Sequence, residues 1–213
     1  MKEKLLRFNK KQKYMFFDYE TCNLNLVSEQ NKPWQLAFIV TDLSKVIDKA
    51  DYLVKWKNLK VSKEAAKITG FNKAKYEKNN VCAKKVLTHF EKYLYDDSII
   101  KVGHNIFGFD FYMHNTHRKL CGKNTDYSYV KNSLDTVCLA RAIKKGIKKQ
   151  KETDMVSWQY RLLNIRERNL KVNLQQCCKD YDIEFDPEKL HDALYDIERN
   201  VEVFKKMIWD IEI

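Results

Sequence analysis

Apolar residues fall along this chain in short runs and helix-spaced stripes. Residues 14–19, within "KYMFFDYET", are apolar and aromatic in succession and read as a buried strand. "WQLAFIV" (34–40) predicts a second strand, and "VIDKADYLVKW" (46–56) returns as a third after the turn "TDLSK". Such short connections make an antiparallel meander. "SKEAAKITG" (62–70) predicts a short helix that Ser62 can cap and Gly70 can end. Residues 81–94 form a longer helix with Val86, Leu87, Phe90 and Leu94 along one side, and "SIIKVG" (98–103) is again a buried strand. Helices follow from about Phe109 to Leu120 and near 135–146. The last third is helical. Asp186-Pro187 opens a short helix, and the final helix runs from about Asp192 to Trp209, with Leu194, Ile197, Val201, Phe204 and Ile208 in one stripe. Three strands followed by alternating helices and strands imply an α/β domain with a mixed sheet.

The 213 residues suit one domain spanning 1–213, because two prolines and five glycines leave no evident linker. An apolar content of 44% and an aromatic content of 13% exclude a disordered or fibrous chain. The start, "MKEKLLRFNKKQK", is basic, with no long apolar run behind it, so neither a signal peptide nor a membrane anchor is expected. The six cysteines (22, 82, 121, 138, 177, 178) form no CxxC pair and read as reduced, mostly buried thiols of a cytoplasmic protein. A net charge of +11 suggests a polyanionic partner, nucleic acid first, against the plainer reading of a lysine-rich solvated surface. The stretch 141–171 is the least regular. Its start, "RAIKKGIKKQK", carries six cations and no acid, close to Trp158 and Tyr160, and is expected to track a nucleic-acid strand, with a solvated loop as the plainer alternative.

Candidate chemistry begins with Asp18 and Glu20, two residues apart on a strand and so on one face. Two close carboxylates repel unless a cation lies between them, and hard divalent ions take carboxylate oxygens. Taken alone, the pair reads first as a strand rim where two acids face water. "GHNIFGFDFYMH" (103–114) puts Asp110 at a helix start, where an acid also serves the helix dipole. Asn105 and the glycines look like a shaped turn beside a ligand. "LHDALYDIERN" (190–200) sets Asp196 beside the apolar stripe of the final helix. His191 lies five residues earlier and can meet Asp196 only from the preceding loop, where it is a candidate general base or a plain surface histidine. His114, His117 and Cys121 share one helix face and suggest half of a zinc site, or simply a face with polar tips.

Together these motifs resemble the DnaQ-like (DEDDh) 3′→5′ exonucleases. Asp18-Tyr19-Glu20 matches the first motif, Asn105 with Phe109-Asp110 the second, and His191, Ala193 and Asp196 the third, His-x-Ala-x-x-Asp. "VSKEAAKITGF" and "SLDTVCLAR" (133–141) look like further family segments, and the resemblance spans roughly 12–210. It implies a ribonuclease H-like fold: a mixed central sheet, antiparallel meander plus parallel strands, flanked by helices. It also implies two divalent cations, Mg²⁺ or Mn²⁺, on Asp18, Glu20, Asp110 and Asp196, with Asp18 bridging them and His191 as the base. Nucleoside 5′-monophosphates would leave a single strand with a free 3′ end. Backbone groups and side chains around Tyr19, Thr21, His104 and Asn105 would hold the terminal nucleotide, and Phe107 is a candidate for stacking on a base. DNA is favoured over RNA. An exoribonuclease is the alternative, and a nucleic-acid-binding module without activity is the rival of another class. A homodimer and a replication or repair partner are both compatible with the resemblance. Two departures stand out: a basic insertion at about 141–171, and "ETCNLNL", where the family often has a small or glycine-containing turn. The chain also ends soon after the final helix, without the long tail by which the polymerase III proofreading subunit holds its polymerase.

Overall fold

Strand β1 (Lys13–Thr21) lies between the two halves of a mixed sheet in the computed structural model, which describes residues 5–23, 25 and 31–213. Of the "ETCNLNL" turn, Leu24 and Leu26 lie outside the described residues, as does the basic start 1–4. On one side β1 pairs antiparallel with β2 (Pro33–Thr41), which pairs antiparallel with β3 (Val46–Lys55). This is the expected meander. On the other side β1 pairs parallel with β5 (Ile99–Gly103), which pairs parallel with β6 (Ser133–Asp135). A two-residue β4 (Val81–Cys82) adds parallel to β3, so the order is β4-β3-β2-β1-β5-β6. The start of the expected 81–94 helix is therefore strand, and helix α3 begins at Ala83.

The helices are α1 (Lys63–Thr69), α2 (Lys73–Asn79), α3 (Ala83–Leu94), α4 (Asp110–Leu120), α5 (Thr136–Lys145), α6 (Met155–Leu163), α7 (Leu174–Asp180) and α8 (Ala193–Asp210). Their ends follow local chemistry. The Ser62 hydroxyl accepts the Ala65 N–H, and Gly70 closes α1 at φ 65°. Asp186 accepts the Glu188 N–H ahead of the 3₁₀ turn Pro187–Lys189. The helices lie in two layers. Tyr14, Phe16, Ala37, Ile39 and Val102 share a core with α5 to α8. Met15, Phe17, Leu36, Phe38 and Val40 share another with α3 and α4. Strand residues alternate between these layers, so each side of the sheet takes every second side chain of β1.

The basic stretch is an ordered part of the fold. Its start lies in α5 and its middle forms α6, packed against α5. Arg141 donates to the carbonyls of Leu162 and Leu163. Lys144 pairs with Asp180, Lys145 with Glu167 and Lys148 with Glu212. Lys149 donates to the Thr153 carbonyl at 2.7 Å. The run without acids finds its acids elsewhere in the chain, in ion pairs that stay partly exposed to solvent. Among the described residues no helix is long and apolar enough to cross a membrane, and all six cysteines are free.

Gly103 ends β5 where the chain turns toward α4. A Cβ there would lie 2.1 Å from Ile106 Cγ2 and 3.1 Å from the Phe17 carbonyl oxygen. Gly103→Ala should therefore cost about 1–3 kcal/mol. A lowered midpoint in thermal unfolding checks this, and an unchanged midpoint refutes it.

Candidate active site

The alternation along β1 decides where its acids go. Asp18 and Glu20 continue the Tyr14–Phe16 row, so they emerge beneath α8. Asp196 stands in the first turn of α8, and Asp192 caps that helix by accepting the Tyr195 N–H at 3.0 Å. Before the cap the backbone turns through His191 at φ 69°, in the left-handed region. The His191 N–H donates to Asp196 Oδ2 at 3.1 Å. This turn brings the histidine to the acids from the loop, as expected. Glu20, His191 and Asp196 each offer a ligand atom, all within 4.8 Å of one another. Asp110 arrives from the opposite layer, and its Oδ1 accepts the Tyr19 N–H at 2.9 Å. The backbone between the two strand acids thus holds the third.

Four carboxylates so placed resist ionisation. Burial holds Asp18 well above the usual carboxylate range, and the charges of Asp110, Glu20, Asp196 and Asp192 add to it in that order. Glu20 is raised by burial, then by Asp196, Asp110 and Asp192. Burial pushes Asp110 up to about 8 against the pull of the Tyr19 N–H. It pushes Asp196 up to about 7 against the pull of the His191 N–H, with Asp192 adding to the rise. Asp196 Oδ1 is buried and has no hydrogen-bond partner. A buried carboxylate oxygen without a donor, beside other acids, fits a cation, and a set dominated by carboxylate oxygens suits a hard divalent ion. Asp18, which feels every other acid, lies at the electrostatic centre of the group.

The loop from β5 to α4 is held from inside. The buried Asp135 carboxylate accepts the N–H groups of Asn105 (2.9 Å), Phe107 (3.1 Å) and Val137 (2.9 Å). Gln159 accepts the Asp135 N–H at 2.7 Å and donates to the Ser133 carbonyl. Asp135 is thus a clamp for the segment that carries Asn105 and Asp110. The sequence reading passed over it, although an acid between a buried strand and a helix start signals an N-cap. Asp192, the fifth acid here, is likewise a cap by sequence and was also missed.

The expected nucleotide contacts divide. His104 is half-buried, with Nδ1 3.0 Å from Thr136 Oγ1, and burial pushes it down to about 4, so it is neutral at pH 7. Asn105 is exposed at φ 69°, and its amide covers Gly108, where a Cβ would sit 2.4 Å from Asn105 Oδ1. The stacking role expected of Phe107 needs correction, and the side chains of Tyr19 and Thr21 are engaged within the fold. The Tyr19 side chain is 2% exposed, packs on Phe90 and lies 3.4 Å from His117 Nδ1, because its parity turns it into the other layer. Only its backbone N–H serves the site. Phe107 is 1% exposed, edge-to-face with Phe111 and Tyr160, and offers no free face to a base. Thr21 is buried and donates its hydroxyl to the Asn23 carbonyl at 2.6 Å. The zinc alternative also falls. His117 Nε2 donates to the Ala83 carbonyl, and His114 lies between Tyr129 and Glu91, so both imidazoles are engaged in the core.

The family model described as "Exonuclease" matches residues 15–204. Solved structures of E. coli exonuclease I share the fold. Its zinc-bound complex with single-stranded DNA is 18% identical, with a TM-score of 0.69 over 91% of this chain and 40% of that one. Its complex with a dA16 oligonucleotide is 17% identical, with a TM-score of 0.70 over 92% of this chain and 42% of that one. The chain thus spans about two fifths of the length of exonuclease I. A search among curated proteins finds no match.

The raised acids make stability and metal binding depend on pH. An acid whose folded value is raised stabilises the fold below its ordinary value and loses that contribution as pH rises through the folded one. Without metal, the unfolding midpoint should fall as pH rises from about 4 and level off between pH 7 and 8, where Asp196 (about 7) and Asp110 (about 8) ionise in the folded state. Saturating Mn²⁺ should abolish the fall and release protons at pH 7, measured by calorimetry in buffers of different ionisation enthalpy. An apoprotein with a flat profile, or binding without proton release, would contradict the cluster as described.

Proposed function

The chain belongs to the exonuclease family, and on that premise we propose that it removes nucleotides from the 3′ end of single-stranded nucleic acid, DNA foremost. The products would be nucleoside 5′-monophosphates. One observation carries the reading: Asp18, Glu20, Asp110 and Asp196 converge from a strand and two helices, with His191 beside them on a loop. A basic balance of +11 suits a polyanionic substrate.

The four acids would hold divalent cations, two in this reading, either Mg²⁺ or Mn²⁺. When bound, the ions neutralise charge on the scissile phosphate and acidify a water. The chain's own groups do the rest. The exposed His191 imidazole accepts the proton of the attacking water. The His191 N–H fixes Asp196, so base and ligand are positioned by one turn. The Tyr19 N–H fixes Asp110 in the same way. His104, neutral at working pH, and Asn105 hold the terminal nucleotide through hydrogen bonds rather than ion pairs. The proton that leaves water ends on the solvent side, because His191 is exposed.

A single strand labelled near its 5′ end, incubated with Mg²⁺ or Mn²⁺, should shorten stepwise and yield 5′-mononucleotides. Asp18→Ala should lower the rate by on the order of a thousandfold or more. His191→Ala should lower kcat by roughly a hundredfold to ten-thousandfold and still show metal-dependent stabilisation. Equal activity of wild type and Asp18→Ala would sink the assignment, and equal inertness would favour a binding module. A matched RNA strand in the same assay measures the preference for DNA, and faster RNA cleavage reverses it.

A further inference from the structure

Three tyrosines lie exposed near one another beside the clamped loop. Tyr112 is 40% exposed, Tyr127 45% and Tyr160 40%. Tyr112 stands in the first turn of α4, two residues after Asp110. Its ring and that of Tyr127 are 6.4 Å apart at 66°. Tyr160 comes from α6 and reaches α4 through Phe107, whose ring lies 5.2 Å from Tyr160 and 5.0 Å from Phe111, the residue before Tyr112. The sheet, the carboxylate cluster and the helix layers need none of these exposed faces.

The rings are mounted rigidly. The buried Asn115 accepts the Asp126 N–H at 2.6 Å and donates to the Asp126 carbonyl at 3.3 Å, which fixes the loop bearing Tyr127. Asp126 in turn accepts the Ser128 N–H at 2.9 Å. Tyr160 stands edge-on to Phe107 at 5.2 Å. Phe107 packs on Phe111, and Phe111 on Tyr129. Exposed aromatic rings fixed by a packed core pay little entropy when a planar group settles on them. The clustering of exposed apolar surface marks a binding face.

We propose that Tyr112, Tyr127 and Tyr160 form a stacking platform for unpaired bases of the substrate strand, on the 5′ side of the nucleotide held at the carboxylate cluster. The proposal rests on the exonuclease reading of that cluster. Continuity argues for this occupant. The platform borders the same loop that carries Asn105 and Asp110, and Phe107 links the loop's buried side to Tyr160. Aromatic faces accept any base, so the platform binds without regard to sequence. Bases within a duplex already stack on one another and offer no free face. The platform therefore favours single strands and frayed ends. Ring faces would add to whatever grip the basic side chains give on the phosphates.

The test compares wild type with Y112A/Y127A/Y160A and Y112F/Y127F/Y160F, on an oligothymidylate of about 20 nucleotides and on a trinucleotide. The alanine variant should raise KM on the long strand by about tenfold or more, with a several-fold smaller effect on the trinucleotide. The phenylalanine variant should keep the wild-type KM on both, because the ring face does the binding. An unchanged KM in the alanine variant overturns the proposal, and so does a phenylalanine variant as impaired as the alanine one. A wild type that sediments as a dimer, with an alanine variant that is monomeric and binds DNA normally, would make this face an interface between copies. If the alanine triple fails to fold, the single variant Tyr112→Ala carries the comparison. If wild type cleaves nothing, the exonuclease reading fails by itself. The platform is then judged by anisotropy of the labelled strand, where weaker binding by the alanine variant supports it and equal binding overturns it.

Discussion

Mutual repulsion among four crowded carboxylates is the constraint around which this molecule is arranged. Each of Asp18, Glu20, Asp110 and Asp196 is disfavoured as an anion first by burial, and the neighbouring acids raise Asp18 and Glu20 further. A protein that gathers such groups without a cation gives up several kcal/mol. The surroundings must therefore be stable enough to hold them together. Two well-packed layers on a six-stranded sheet provide that stability, and the acids sit where those layers end.

Positioning is done by backbone more than by side chains. The Tyr19 N–H holds Asp110, and the His191 N–H holds Asp196. Three further N–H groups converge on Asp135, which orders the loop between β5 and α4. Backbone donors move only when the chain moves, so the acids inherit the rigidity of the sheet and of α8. Asp135 is itself raised to about 6 by burial, with its N–H partners opposing the rise, so a buried anion is tolerable there only because it is fully hydrogen-bonded.

Much of this was legible in the residues. The meander, β5, α4, α5 and the final helix lie close to where the apolar pattern puts them, because their hydrophobic periodicity is strong. The left-handed Gly70 and the caps at Ser62 and Asp186 also followed from residue type. Beta strands of two and three residues, β4 and β6, carry too little pattern to be read, and α2 has a single buried residue, Tyr76. At the site, each acid and His191 was ambiguous alone, and only the family resemblance of the three motifs grouped them before the structure brought them together. What the residues did not show was of another kind. Tyr19 and Phe107 neighbour ligands in sequence, but strand parity and the loop's inward turn send both rings into the core. Asp135 was opaque because its role depends on a loop thirty residues away. The ion pairs of the lysine run were opaque because its counter-ions, Asp180, Glu167 and Glu212, are remote in sequence.

The alternation of β1 has an evolutionary consequence. Substitutions along it can be absorbed one at a time, since each side chain meets its own layer. A one-codon insertion or deletion between Tyr14 and Asp18 cannot be absorbed, because it exchanges the two faces of everything beyond it. Asp18 and Glu20 would be driven into the aromatic layer around Phe90, and the Tyr19 ring would fill the cleft. Length variation among relatives of this chain should therefore collect in connections such as the β2–β3 turn, where Leu43 already sits at φ 69°, and spare the strand that carries the acids.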